Sequence, residues 1–389
     1  MNINNIKRSK KRIETAYLSN LGIQTFGRDN LYPQRMYDLI RSSANGGTCC
    51  ERYQTFIEGN GLNNTEFAEY ECNRMGQTVD DIYRLLAQDM ALHHGFALHV
   101  NYNMMCEIVE LNHIPFMQCR LEEETPDGKV VHIKIHPDWT GHKTRKGKTI
   151  RVSNENIKSI YTFNPRKEVV MAQIIASGGI ESYRGQILWF SMDGKWDYPV
   201  SVYDKVLTSL STDEGLANVM YRNVRNNFLV AGMLIHKKGA ALGIDENGNP
   251  IKGDSKDLDI TESLNIFQGD ENACAIMDVT LEQDDDKPEF VKFEAQNFDK
   301  KYEITEESVT SRIYSAFGQE PWYRIRNGSL GFSSEVLSEA YEYYNSYVSK
   351  ERRAISRAIK RIFDNWYEDA NPSGDYEVQP LVYVKNNKE

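Results

Sequence analysis

The chain lacks any apolar run approaching the ~20 residues that a membrane-spanning helix needs, so no helical membrane span is expected. Cysteine is scarce. The six cysteines, at 49, 50, 72, 106, 119 and 274, form no C-x-x-C pair and have no histidine partner at metal-ligand spacing. That argues against a zinc ribbon and against a disulfide scaffold, and all six are read as reduced thiols of a cytosolic protein. Internal repeats and low-complexity tracts are missing, which argues against a solenoid. No H-E-x-x-H, no G-x-S-x-G and no Ser-His-Asp arrangement stands out, so catalysis has no positive signal. The opening MNINNIKRSKKRIETAYL is basic but has no apolar stretch behind it, so it does not read as a secretory signal. Its Lys7, Arg8, Lys10, Lys11 and Arg12 read as a flexible tail.

What is present describes a globular chain. Hydrophobic residues make up 40% and charged residues 26% of 389, enough for two or three cores. Tyrosine is abundant at 22 residues, and its apolar body with a polar tip suits subunit contacts as well as cores. The net charge of −10 is unevenly spread. Between Leu242 and Phe290 there are 14 Asp/Glu against 3 Lys/Arg, a net of −11, which leaves the rest of the chain near neutral.

The first ~90 residues carry helical spacing. Asp29 or Asn30 is the expected start signal, Tyr37, Ile40, Tyr53 and Ile57 share a face, Gly46-Gly47 interrupts, and Gly59-Asn60-Gly61 ends the run. TVDDIYRLLAQDMALHHG follows with Thr78 as N-cap and Gly95 as stop. From 96 to 190 the period falls to two, in FALHVNY, CEIVELN, FMQCRLE, VVHIKIHP, TIRVS and QILWFS, with TPDGK as a hairpin turn. Val202, Val206, Leu210, Leu216, Val219, Val224 and Phe228 then hold a helical stripe. Short strands GMLIHKK, SLNIFQG, CAIMDV and FVKFEA make up the acidic segment, and a second helix, about 299–317, leads out of it. The longest helix is expected from Ser334 to Trp366, capped by Ser333 or Ser334 and roughly 50 Å long at 1.5 Å per residue. The closing YEVQPLVYV returns to strand. The fold class is α+β.

Several motifs compete with plainer explanations. GHKTRKGKT (141–149) resembles a phosphate-binding loop, but it has five residues between its glycines and no helix after it, so a basic hairpin tip is expected. His93-His94 diverge on a helix, and His132 and His136 share a strand face without a third ligand, so no metal and no cofactor are expected. Lys350, Arg353, Arg357, Lys360 and Arg361, with Arg352 and only Glu351 against them, form a basic helix face. Such a face is solvated, or it meets nucleic acid or an acidic neighbouring surface. Between the last two helices, GQEPWYRIRNGSLGFSSEV (318–336) lays out some fifteen residues without apolar periodicity, and Pro321 is expected to close the helix before it.

This order of parts resembles the portal proteins of tailed bacteriophages. The resemblance spans roughly residues 28 to 370. It is carried by LYPQRMYDLIRSS…CCERYQTFIEGNGL, by YPVSVYDKVLTSL…NNFLVAGMLI, and above all by ITEESVTSRIYSAFGQEPWYRIRNGSLGFSSEVLSEAYEYYNSYVSKERRAISRAIKRIF. It implies a helical and β wing over 1–200, a stem helix over 201–231, a clip over 232–296 and a second stem helix over 297–317. A tunnel loop would follow over 318–333, then a long helix and a C-terminal wing strand over 334–389, with the crown reduced or absent. It further implies a virion protein: a ring of about twelve copies at one capsid vertex, assembled in the host cytoplasm, through which double-stranded DNA is packaged and ejected. The DNA-facing residues would be Trp322, Tyr323, Arg324, Arg326, Asn327 and Gly328. The partner-binding clip would present Asp278, Glu282, Asp284, Asp285, Asp286 and Glu289. Implied partners are the terminase large subunit, a head–tail adaptor, and the major capsid and scaffold proteins, with no membrane. Two other readings stay open: a different head–tail connector or tail component, and a nucleic-acid-processing enzyme.

Overall fold

The computed structural model describes residues 13–141, 144–145, 148–149, 151–225, 232–237, 241–244, 250–252, 277–281, 289–292 and 298–383, with backbone alone at 144–145, 148–149 and 222–304. The chain divides into two units, residues 1–207 with 311–389, and residues 208–310.

The first unit is α+β. A short ribbon, β1 (Tyr17–Leu18) with β2 (Ile23–Gln24), precedes α1 (Tyr32–Ser42), α2 (Ala44–Glu58), α3 (Thr65–Ala68) and α4 (Val79–His93). Thr78 caps α4 as expected: its hydroxyl accepts from Asp81 N–H while the Asp81 carboxylate accepts from Thr78 N–H. The start of α1 differs from expectation. Leu31 is its N-cap, and Asp29 instead accepts from Leu31 N–H at 3.1 Å. The break between α1 and α2 falls at Ser43, not at Gly46-Gly47. The Ser43 hydroxyl accepts from Gly46 N–H, so the cap restarts the helix three residues earlier and both glycines lie inside it. At the end of α4, His94 rather than Gly95 takes the left-handed position (φ 64°).

β3 (Gly95–Tyr102), β4 (Ile108–Ile114), β5 (Cys119–Leu121) and β6 (His132–Ile135) follow, then the two-residue strands β7 (Thr144–Arg145) and β8 (Lys148–Thr149), which pair as a hairpin. β3 to β6 with β9 (Lys158–Thr162) and β10 (Gln186–Ser191) build a six-stranded sheet in the order β4-β3-β10-β9-β6-β5, separate from the β7–β8 hairpin. The β9–β10 pair is parallel and the others are antiparallel. A parallel pair needs a crossover, and α5 (Lys167–Ala176) lies in that connection. The sequence stretch that read as purely period-two therefore contains a helix, whose apolar residues run without a clear stripe. His132 pairs with Glu122 at 2.7 Å. Arg120, fully buried, ties the sheet to α1 by donating to Asn30 Oδ1 (2.6 Å) and to the Asn30 carbonyl (2.7 Å).

Helices cover the sheet. Ile82, Leu86 and Met90 of α4 are buried, as are Phe96, Leu98 and Leu111 of the sheet. The expected 334–366 helix is two helices, α9 (Ser334–Tyr347) and α10 (Ser349–Phe363). Val348 between them sits at φ −87°, ψ 3°. The Ser349 hydroxyl donates to the Ser346 carbonyl at 2.8 Å, a local bond of the kind that competes with the helix ladder at such a break. Among its described residues, 376–383, YEVQPLVYV forms one bridge, Leu62 with Val378, and no strand; Pro380 has no N–H to extend a ladder.

The second unit contains most of α6 (Leu207–Arg225), which follows a 3₁₀ turn at Val202–Val206, and the start of α7 (Phe298–Ala316). Between them β11 (Gly232–Lys237) pairs parallel with β14 (Met277–Leu281) and antiparallel with β15 (Glu289–Lys292). A separate hairpin joins β12 (Ala241–Ile244) to β13 (Pro250–Lys252). SLNIFQG lies outside the described residues.

One buried acid sits just past the break. The Glu351 side chain is 1% exposed, accepts from Tyr53 OH at 2.8 Å, and has His94 Nε2 at 3.7 Å and Lys350 Nζ at 3.5 Å. Burial pushes its pKa up, but the His94 imidazole, the Tyr53 hydroxyl and the Lys350 charge outweigh burial and hold it below the ordinary value. A carboxyl with a depressed folded pKa contributes stability that is present above its unfolded pKa and lost as pH falls through the folded one. Glu351→Gln is expected to cost about 1–3 kcal/mol at pH 7 and to flatten the loss of stability below pH ~4.5. Urea unfolding at pH 7, 5 and 3.5 checks this, and parallel curves for the two proteins would refute it.

Candidate functional site

The segment after α7 begins at a buried root. Gly318 and Gln319 are both buried. The Gln319 side chain makes three hydrogen bonds: Nε2 donates to the Cys49 carbonyl (2.8 Å) and to Tyr344 Oη (2.8 Å), and Oε1 accepts from Arg52 (2.7 Å). Tyr344 OH in turn donates to the Phe317 carbonyl at 2.9 Å. Satisfying a buried amide this fully matters, because each orphaned group would cost about 1–3 kcal/mol. Gly318 has φ +66°, and a Cβ there would lie 2.5 Å from the Tyr347 ring, so both backbone and space require glycine.

Past the root comes a short helix, α8 (Glu320–Arg326), where the sequence led us to expect an unpatterned loop. Pro321 therefore opens a helix instead of closing one. In a first turn its missing N–H has no intrahelical partner to lose, and its fixed φ suits the helix. Seven residues are under two turns, too short for apolar periodicity to register. Trp322 is half-buried, with its ring 5.0 Å from Tyr344, 5.6 Å from Phe56 and 5.5 Å from the Arg52 guanidinium. Tyr323 is half-buried against Tyr314 at 5.8 Å. Arg324, Arg326, Asn327 and Gly328 are exposed, and Phe332 is 79% exposed. Arg326 reaches back to Asn45 Oδ1 at 2.6 Å. Gly328 takes φ +76° with nothing within 4 Å, which ends α8. The six residues named from the sequence thus split: two aromatics anchor the segment and four residues face solvent.

The basic face of α10 also divides. Lys350 lies beside Glu351, Lys360 pairs with Asp364 at 3.0 Å, and Arg361 stacks over the Phe163 ring at 5.4 Å. Arg352, turned inward, donates from Nε to the Phe56 carbonyl at 2.8 Å and from Nη2 to Asn345 Oδ1 at 2.7 Å. Arg353 and Arg357 are exposed and have no charged or hydrogen-bonded partner among the described residues. With Lys360 they form one wall of a groove of about 750 Å³, whose other wall is residues 373–378, including Asp375 and Glu377. Lys350 and Arg361 do not line it. Of the acids assigned to the clip, Asp278 lies in β14 and Glu289 in β15, with side chains not described; Glu282, Asp284, Asp285 and Asp286 lie outside the described residues.

Gln319, Gly318 and Arg52 escaped the sequence reading, as did the hydrogen-bonding role of Tyr344. A glutamine and a glycine beside a turn carry no pattern: Gln319 depends on Cys49 and Arg52, about 270 residues away, and Gly318 on the Tyr347 ring of another helix.

No protein-family model matches the chain, and no curated protein matches it. Among solved structures, the chain is similar to the neck of an empty gene transfer agent particle computed with sixfold symmetry, at 14% identity and a TM-score of 0.47, covering 91% of this chain and 84% of that one. It is also similar to the neck of a native particle computed with twelvefold symmetry, at 14% identity and a TM-score of 0.47, covering 87% and 82%. A third is an HK97-family phage portal protein from Corynebacterium diphtheriae, at 11% identity and a TM-score of 0.27, covering 75% and 84%. All these TM-scores lie below 0.5.

Gly318→Ala is expected to destabilise the protein by about 2–4 kcal/mol, combining a left-handed backbone with an overpacked contact. Gly331→Ala, where an added Cβ meets open space, should stay within about 0.5 kcal/mol of the parent. Equal denaturation midpoints for the two variants would show that the root is not rigid.

Proposed function

We propose that the chain is the portal subunit of a tailed bacteriophage, forming a ring of about twelve copies that conducts double-stranded DNA. The observation that carries this reading is the behaviour of residues 320–332. They hang from a buried, fully hydrogen-bonded root, yet their outer part finds no interior in the subunit, with Arg324, Arg326, Asn327 and Gly328 exposed. A channel-lining segment needs a fixed origin and a wet, weakly basic face.

The sparseness of that charge follows from the same physics. Each phosphate contact releases counterions, and log affinity changes by roughly 0.9 per contact per decade of salt. A ring multiplies every contact by its copy number, so a strongly basic lining would grip DNA, whereas two arginines per subunit leave it mobile. The excess of 14 acidic over 3 basic residues between Leu242 and Phe290 repels DNA and offers an attractive surface to a basic packaging motor or head–tail adaptor. In this reading the terminase large subunit docks there during packaging, the adaptor docks later, and the capsid and scaffold proteins hold the ring at one vertex. The role is structural and carries no catalysis.

The double variant Arg324→Ala/Arg326→Ala is expected to assemble into rings, seen in negative stain, while genome packaging or retention falls. Unchanged packaging would remove the DNA-facing role. Replacing Asp278, Glu282, Asp284, Asp285, Asp286 and Glu289 by Asn or Gln should weaken motor or adaptor docking several-fold at moderate salt. Affinity equal to the parent's in a pull-down titration would count against an electrostatic clip.

A further inference from the structure

The groove beside α10 is unexplained by a DNA conduit. Its helical wall presents Arg353, Arg357 and Lys360, the first two exposed and unpartnered among the described residues. Four residues of helix separate the two arginines by roughly 6 Å along the axis. Its other wall is the segment 373–378, which is hydrogen-bonded to residues 60–64 on one side and touches α10 at one end of the groove, where Lys360 Nζ sits 5.2 Å over the Tyr376 ring. Asn63 N–H donates to the Glu377 carbonyl (2.9 Å) and Gln379 N–H donates to the Gly61 carbonyl (2.9 Å). In this register Leu62 and Val378 are a non-hydrogen-bonded pair, so the Val378 N–H and carbonyl point away from residues 60–63. Among the described residues neither group has a hydrogen-bond partner.

An unpaired strand edge in a groove that a cationic helix also lines has a specific chemical complement. We infer that the groove binds an extended acidic segment of a partner protein, which pairs its main chain with Val378 and sets its carboxylates on Arg353 and Arg357. Alternate residues of a strand lie roughly 6.7 Å apart on one face, close to the spacing of the two arginines. Main-chain pairing supplies affinity and the arginines select for acid, as in other strand-addition sites. A nucleic-acid backbone fits less well. It offers no peptide N–H and carbonyl in strand register to the Val378 groups.

The test uses the full chain and a fluorescein-labelled peptide of four Asp-Val repeats, followed by fluorescence anisotropy at about 50 mM salt, where exposed charges are weakly screened. Binding is expected to weaken about five- to tenfold in Arg353→Ala/Arg357→Ala, a double variant at exposed positions whose fold is checked by circular dichroism. N-methylation of the peptide's valines keeps every charge but blocks main-chain pairing, and should weaken binding about tenfold. The proposal fails if the parent does not bind the peptide or if the double variant binds it equally. It also fails if the N-methylated peptide binds as well, since adhesion would then be electrostatic only. Tighter binding of a 20-base-pair duplex that displaces the peptide would make this a nucleic-acid face. Tighter binding of a peptide of this chain's own residues 278–290 would assign it to a second copy.

Discussion

The side chain of Gln319 is the constraint on which the exposed segment depends. Its one amide joins the Cys49 carbonyl and Arg52 of α2 to Tyr344 of α9, and Tyr344 closes the loop by donating to the Phe317 carbonyl. Three segments far apart in sequence are therefore held at one buried point. Each of these bonds contributes modestly, about 0.5–1.5 kcal/mol net, but breaking one leaves a buried polar group unsatisfied at a larger cost. The network thus discriminates strongly against any displaced arrangement. Around it Phe56, Trp322, Tyr341 and Tyr344 pack as an aromatic cluster with centroids 4.9–6.2 Å apart, which excludes water from the amide.

Rigidity at the root and exposure at the tip belong together. A segment without apolar periodicity has no face to bury, so it leaves the interior wherever the packing stops supplying partners. Here that point falls after Tyr323. From Arg324 on, polar and small residues predominate and Phe332 stands in solvent. The origin of the segment is fixed while its outer part stays adaptable, a combination suited to contacts that must form and break repeatedly. The same economy of charge runs through the whole chain. Acid is concentrated in one stretch, and most bases of α10 are already engaged: Arg352 by backbone carbonyls and Asn345, Lys360 by Asp364, Arg361 by an aromatic ring. What reads as one basic stripe is therefore, in space, two available arginines beside an open strand edge.

The α+β class, the alternation of the sheet strands, the Thr78 capping box and the helices on either side of the acidic segment were all legible from local pattern. Each of those features is a property of neighbours a few residues apart, and periodicity or capping chemistry reports it directly. The break at Val348, the crossover helix α5 and the helix at Glu320–Arg326 were not legible. A single serine's back-bond, an apolar helix without a clear polar face and a helix of under two turns leave no periodic trace. The exposed site residues were nameable only through resemblance, and their division into anchors and solvent-facing groups needed coordinates.

By itself, then, the sequence determined the alternation of helical and strand regions, where negative charge accumulates, and that one stretch between helices lacks apolar periodicity. Tertiary structure alone decided which side chains hold that stretch in place and which cations remain free. The physical reason is that burial and hydrogen bonding are non-local. Gln319 acquires its role from Cys49 and Arg52, and Glu351 from Tyr53 and His94, partners that only folding brings within reach.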